Sequence, residues 1–274
     1  MSTLKILHYI VPEARFSIPK GRKSLKARNN YAEKLSKNFQ KELLALPEKK
    51  LSFDTYKNII MKTLGKKDLN IDIREPRSIN AIAAIRPQLK LYESTSPKYD
   101  AFLYYEGFTL LANKENDKIA IDKSSLVHET RHLFDMICNP KMMISRNVEN
   151  ANNDKIFKQH EEILNFVRDD EQYKPKKIIG IFKIPSFEKE LREKLTGLEN
   201  SIVVSILQQC RYHLKTERNA YKDYEKFFLK ENIKHPLALF TVLDFHIKNE
   251  HKFNFQEKER VLKKLIRELA KNNI

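Results

Sequence analysis

Residues Ser124–Pro140 read SSLVHETRHLFDMICNP, and the pentapeptide His128-Glu129-Thr130-Arg131-His132 at their centre is the most specific chemical signal in the chain. Positions i and i+4 of an α-helix share a face, so the imidazoles of His128 and His132 converge on one point while Glu129 stands alongside. Two neutral imidazoles suit Zn²⁺, and a neighbouring carboxylate suits proton transfer from a water that the ion acidifies. HExxH on a helix carries that chemistry. Asp122, Ser124 or Ser125 can cap the start of the helix and Asn139-Pro140 can stop it, for a length of about 14 residues. Leu126, Val127, Leu133, Phe134, Met136 and Ile137 spread apolar surface over several sides, which predicts a largely buried element. His128, Glu129, His132 and Asp135 must then find partners. Asp135, one turn after His132, is placed to accept the far N–H of a ligating histidine. Arg131, at a variable position of the motif, reads as solvent-facing.

The segments before this helix favour β structure. Leu69, Ile71 and Ile73 alternate with polar residues over Asp68–Arg74, the pattern of a half-buried strand. Residues 101–112 and Lys118–Asp122 also favour strands, with NKEND at Asn113–Asp117 as a hairpin turn between them. Ile79–Ile85 is apolar and too short to assign to strand or helix. Farther upstream, residues 29–46 place Tyr31, Leu35, Phe39, Leu43, Leu44 and Leu46 near helical spacing before Pro47. A second helix spans Ser52 to about Leu64, with Gly65 as its stop. Residues 14–28 form a basic cluster around a Pro-Lys-Gly turn and read as an exposed arm.

Downstream the pattern is helical. Residues 139–155 read as a polar loop and 155–167 as a weak helix, followed by a KPKK turn and an apolar IIGIF run. A charged helix is predicted from Phe187 to about Leu198, with Gly197 as an interruption or an end. The long segment Ser201–Lys230 keeps helical spacing through Ile202, Val203, Ile206, Leu207, Cys210, Leu214, Tyr221 and Tyr224. An apolar stretch runs from Pro236 to Phe245, and Glu257–Lys271 closes the chain as an amphipathic helix. These segments predict a mainly helical α+β protein with a small sheet beside the motif helix. Three regions follow: 1–66, basic and mostly helical; 67–138, the sheet and motif helix; and 139–274, a helical lobe. The last two are expected to form one catalytic domain.

A chain of 274 residues with 41% hydrophobic content can bury a sizeable core, and its 32% charged residues imply a heavily solvated surface. The net charge of +16, from 52 Lys+Arg against 36 Asp+Glu, favours acidic partners. Two cysteines, Cys138 and Cys210, are too few for a disulfide-dependent secreted scaffold. No run approaches a membrane span, and the N-terminus lacks a signal-type apolar region. The expected location is the cytoplasm, or outside the cell by a route that needs no cleaved signal.

Two histidines leave a catalytic zinc site one protein ligand short. Downstream donors are Glu149, Asp154, Glu161, Glu162, Glu217, His160 and His213. Glu217 is preferred because it sits mid-way along the Ser201–Lys230 helix, and a rigid helix packed across the first can hold a ligand in place. The extended metzincin pattern is absent: Cys138 stands where its third histidine would be, and Asp135 where its glycine would be. Tyr221, one turn after Glu217, and Tyr212 are candidate hydroxyl donors to an oxyanion. His213, one turn before Glu217, is a further donor.

HETRHLFD followed by a distant ExxAY on a helix resembles the gluzincins, zincin metallopeptidases whose third ligand is a helical glutamate. The likeness is greatest to short-motif bacterial toxins and secreted effectors such as the anthrax lethal factor catalytic domain, and it covers only His128–Asp135 and Glu217–Tyr221. The resemblance implies a zincin-like fold and zinc held by His128, His132 and Glu217. It further implies Glu129 as general base and a protein or peptide substrate lying along a sheet edge. Positive charge would favour acidic substrates. The competing readings are a polyanion- or nucleic-acid-binding protein, for which no helix-turn-helix, RNP-like or zinc-finger pattern speaks, and an inactive zincin-fold interaction protein.

Overall fold

The computed structural model describes residues 25–65, 70–75, 83–93, 101–139, 159, 162–167, 185–232 and 251–271. The basic arm before residue 25, the polar loop after Asn139, the KPKK and IIGIF runs and the apolar stretch from Pro236 to Phe245 lie outside them. Helices α1 (Leu25–Leu44), α2 (Phe53–Leu64) and α3 (Lys123–Cys138) flank strands β1 (Asn70–Arg74), β2 (Ala83–Glu93), β3 (Ala101–Ala112), β4 (Lys114–Glu115) and β5 (Lys118–Ile119). Three more helices follow: α4 (Pro185–Leu195), α5 (Asn200–Asn232) and α6 (His251–Lys271). The described chain is therefore mainly helical with a small mixed sheet, the α+β class expected.

By compactness the chain divides into one unit of Met1–Ser145 with Asn219–Asn232 and another of Arg146–Arg218 with Ile233–Ile274. The division falls within α5, an unbroken helix that gives residues 200–218 to the second unit and Asn219–Asn232 to the first.

In the first unit, α1 buries Ala32, Leu35, Phe39 and Leu43 along one face, while Leu44 is 40% exposed. The Phe39 ring meets both Tyr56 of α2 and Phe134 of α3 edge-on, with centroids 6.0 Å apart in each case. One side chain thus joins three helices. Ser52 caps α2 by accepting from the Thr55 N–H, and Gly65 ends it in the left-handed region at φ 66°, where a residue without Cβ is favoured.

The main sheet has the order β1-β3-β2, with β1 parallel and β2 antiparallel to β3. Registered pairs share a face, so Ile71 with Phe108, and Ile73 and Ile85 with Leu110, make one buried apolar layer. Gly107 opposes Asn70, and a Cβ there would lie 2.0 Å from the Asn70 carbonyl oxygen, so β1 can approach β3 only at a glycine. The hairpin differs from expectation. Residues 101–112 pair with β2 and β1, whereas the turn joins the short strands β4 and β5 through Asn116 (φ 48°) and Asp117 (φ 60°), both in the left-handed region. The long β2 strand was not foreseen. Pro87 lies within it and removes an N–H donor, which an edge strand tolerates; among the described strands β2 is paired on one side only.

In the second unit, the Phe166 and Phe187 rings stack with centroids 5.4 Å apart. Lys258 of α6 is fully buried, with its ammonium donating to the Val167 carbonyl at 2.9 Å. Gly197 (φ 84°) lies in the left-handed region between α4 and α5. The Glu259 carboxylate receives Arg218 at 2.9 Å and Lys263 at 3.1 Å. Burial pushes its pKa up, but the Lys263 hydrogen bond and the charges of Arg218 and Lys263 prevail and hold it below the ordinary glutamate value. Both cysteines are buried. No helix among the described residues is long and apolar enough to cross a membrane.

Phe39→Ala should cost about 3–5 kcal/mol in urea unfolding, whereas Leu44→Ala should stay within roughly 0.5 kcal/mol. A depressed carboxyl pKa contributes stability above its unfolded value and loses it as the pH falls through the folded one. The stability lost in Glu259→Gln should therefore be larger at pH 7 than at about pH 3.5, as read from paired thermal melts.

Candidate metal centre

The site is built on α3. Asp122 is its N-cap, in extended backbone with φ −72° and ψ 166°, and its side chain accepts from the Ser125 N–H at 2.7 Å. Of the three caps the sequence left open, this one fixes where the first turn begins, and so which way His128 and His132 face. Leu126, Val127, Leu133 and Phe134 have no exposed surface, as expected of a largely buried helix.

His128 and His132 converge as the i, i+4 spacing requires. Their Nε2 atoms are 3.2 Å apart and their ring centroids 4.9 Å. Two nitrogens each about 2.0–2.1 Å from a tetrahedral ion lie roughly 3.3 Å from one another, so the pair is spaced as metal ligands would be. The same spacing also fits a hydrogen bond between the two rings, and a metal site needs a third donor. Glu217 is the candidate: one ligand atom from each of His128, His132 and Glu217 lies within 4.8 Å of the other two. The three residues are partly buried. Two imidazoles and a carboxylate form a donor set suited to a divalent transition metal.

Glu129 lies with its Oε1 4.0 Å from His128 Nε2, and its side chain is 13% exposed. Tyr221, one turn beyond Glu217 on α5, sets its ring against that of His128, with centroids 4.6 Å apart and planes 68° apart. Tyr212, the other tyrosine candidate, is 9% exposed and counts with the core. His213 holds its Nε2 3.5 Å from Glu217 Oε1 and falls outside the metal-capable cluster, so it bears on the orientation of that carboxylate. Glu162 is exposed on the helical stretch 162–167 and is not in the cluster. Glu149, Asp154, His160 and Glu161 lie outside the described residues.

The residues between the motif's functional positions fasten the helix to its neighbours. Thr130 is fully buried, with its Oγ1 3.0 Å from the Tyr56 hydroxyl of α2. Arg131 does not face solvent. It is 4% exposed and donates from Nε to Asp135 at 3.1 Å and from Nη1 to Asp223 of α5 at 2.8 Å. Burial opposes its charge, but Asp135 and Asp223 outweigh that and raise its pKa. Asp135, expected to serve a histidine, has the Arg131 guanidinium as a forked partner, with a second contact of 3.3 Å from Nη2 to Oδ1. Burial raises the Asp135 carboxyl above its ordinary value despite that neighbour. Ser36 of α1 also donates to Asp223, at 2.7 Å, and Gln40 donates to Ser36 at 3.2 Å. Sequence reasoning missed this network. Its signal was two polar residues, Ser36 and Gln40, set one turn apart among the apolar positions of α1.

Comparisons with protein-family models, with characterised proteins and with solved structures found no match. The chemistry of the site therefore rests on its own residues. Titration with Zn²⁺ or Co²⁺ should show about one high-affinity site per chain. His128→Ala should abolish it, and Glu217→Ala should weaken it about a hundredfold, near 3 kcal/mol. Binding by Glu217→Ala as tight as that of the unaltered chain would remove Glu217 from the site.

Proposed function

We propose that the protein is a zinc-dependent endopeptidase of gluzincin type, with His128, His132 and Glu217 as the metal ligands. The observation that carries this proposal is the convergence of the two motif imidazoles with a carboxylate from a second helix. An HExxH occurring by chance would have no reason to meet such a group.

Zinc, when bound, supplies Lewis acidity toward the scissile carbonyl and toward water. Glu129 is the general base: it is the carboxylate next to the ligands, partly buried, and it takes a proton from the attacking water and returns it to the leaving amine. Tyr221 is the candidate donor to the oxyanion, since its ring packs against a ligand imidazole and its helix also carries the third ligand. The substrate is a protein or peptide, and the net charge of +16 would draw acidic segments toward the molecule. An effector or toxin role fits the gluzincin resemblance.

Glu129→Gln should keep stoichiometric zinc and lose peptide cleavage by roughly 10²- to 10⁴-fold, measured on a mixed peptide library. Normal cleavage by that variant would sink the mechanism. Stoichiometric zinc without turnover in the unaltered chain would instead favour a non-catalytic metal protein.

A further inference from the structure

The residues of α3 divide by task. His128 and His132 belong to the candidate metal cluster, with Glu129 beside them, whereas Thr130 and Arg131 reach the neighbouring helices α2 and α5. The link to α5 bears on the site directly, because that helix also carries Glu217, six residues before Asp223. A histidine pair on one helix cannot fix where a ligand on another will stand. Something must hold the second helix at a set height and rotation, and loose support of this kind degrades a metal site.

Two contacts can do so. At one end of α3, Lys123 is 4% exposed, donates to the Leu46 carbonyl at 2.8 Å and lies 3.6 Å from the Glu231 carboxylate of α5. One face further along, Arg131 meets Asp223. Lys123 with Glu231 and Arg131 with Asp223 define an antiparallel register between α3 and the Asn219–Asn232 part of α5. The Arg131 contact is the more directional. A planar guanidinium places its N–H groups in fixed directions, whereas an ammonium turns freely. Asp223 is itself oriented by the Ser36 hydroxyl, which Gln40 holds from behind.

We propose that Arg131 and Asp223 are positioning residues that hold the Glu217-bearing helix over His128 and His132. This rests on the metal-centre assignment and adds the means by which the third ligand is placed. The arrangement predicts that Asp223 acts on metal binding only through Glu217. A purely structural role would instead weaken binding whether or not Glu217 is present.

A double-mutant cycle on Zn²⁺ affinity separates the two, with circular dichroism confirming the fold of each variant. In Asp223→Ala, Arg131 keeps Asp135 as its partner within α3, so no buried charge is stranded. The isosteric Asp223→Asn provides a second entry to the cycle if the alanine variant does not fold. The expected result is about a tenfold or greater loss of affinity in the unaltered chain, and less than about a twofold change when Glu217→Ala is already present. Arg131→Lys should fail to restore affinity, because a single ammonium cannot fork between Asp135 and Asp223. Equal losses in both backgrounds, or no loss in either, would overturn the proposal and leave the metal assignment standing. Absence of zinc binding by the unaltered chain would overturn both.

Discussion

A guanidinium buried between two carboxylates is a costly device, and the placement of the site depends on it. Desolvating three charges takes several kcal/mol per ion, and their mutual attraction offsets this only when the geometry is good. Here Arg131 divides its donors between Asp135 on its own helix and Asp223 on α5, and Ser36 supplies a further hydrogen bond to the second carboxylate. Apolar residues of the same volume could hold the helices together as strongly. They would not fix rotation, since a leucine interface tolerates small slides that a forked, charged hydrogen bond does not. The network is better explained by register than by stability.

The apolar core does complementary work. Phe39 draws α1, α2 and α3 together through edge-on ring contacts, and the β1-β3-β2 sheet presents Ile71, Ile73, Ile85, Phe108 and Leu110 as one buried layer. Such packing is non-directional and supplies the bulk of the free energy. Charged and hydroxyl contacts at Thr130, Arg131 and Lys123 then choose one arrangement among the compact ones. α3 takes part in both, which is why so few of its side chains reach solvent.

What was legible in the sequence follows from the range of the interactions. The Ser52 cap, the Gly65 stop, the convergence of His128 with His132 and the alternation around Ile71 and Ile73 are set by neighbours within a few residues, and each could be read locally. The nearness of Glu217 to the two imidazoles was reachable because helical spacing around it predicts a rigid carrier. The β2 strand was obscured by Pro87, whose lost donor argues against a strand unless its edge position is known. Arg131 was misread for a similar reason: arginine is rarely buried without a partner, and the partner is Asp223, far along the chain. Asp135 was read by helix geometry as a partner for a motif histidine, and the arginine four residues before it on the same helix also reaches its carboxylate.

HExxH leaves two positions unspecified, and in this chain neither is idle. A helix presents about 3.6 residues per turn, so the two unspecified residues between histidines at i and i+4 project to other sides of the helix. On an exposed helix they would meet solvent. On a buried one they meet other helices, and their chemistry then decides which neighbours the motif helix accepts and at what angle. Thr130 and Arg131 meet α2 and α5 in this way. The spacing that brings two imidazoles together on one side therefore directs two anchors to the others, and Glu217, the candidate third ligand, lies on the helix that one of those anchors meets.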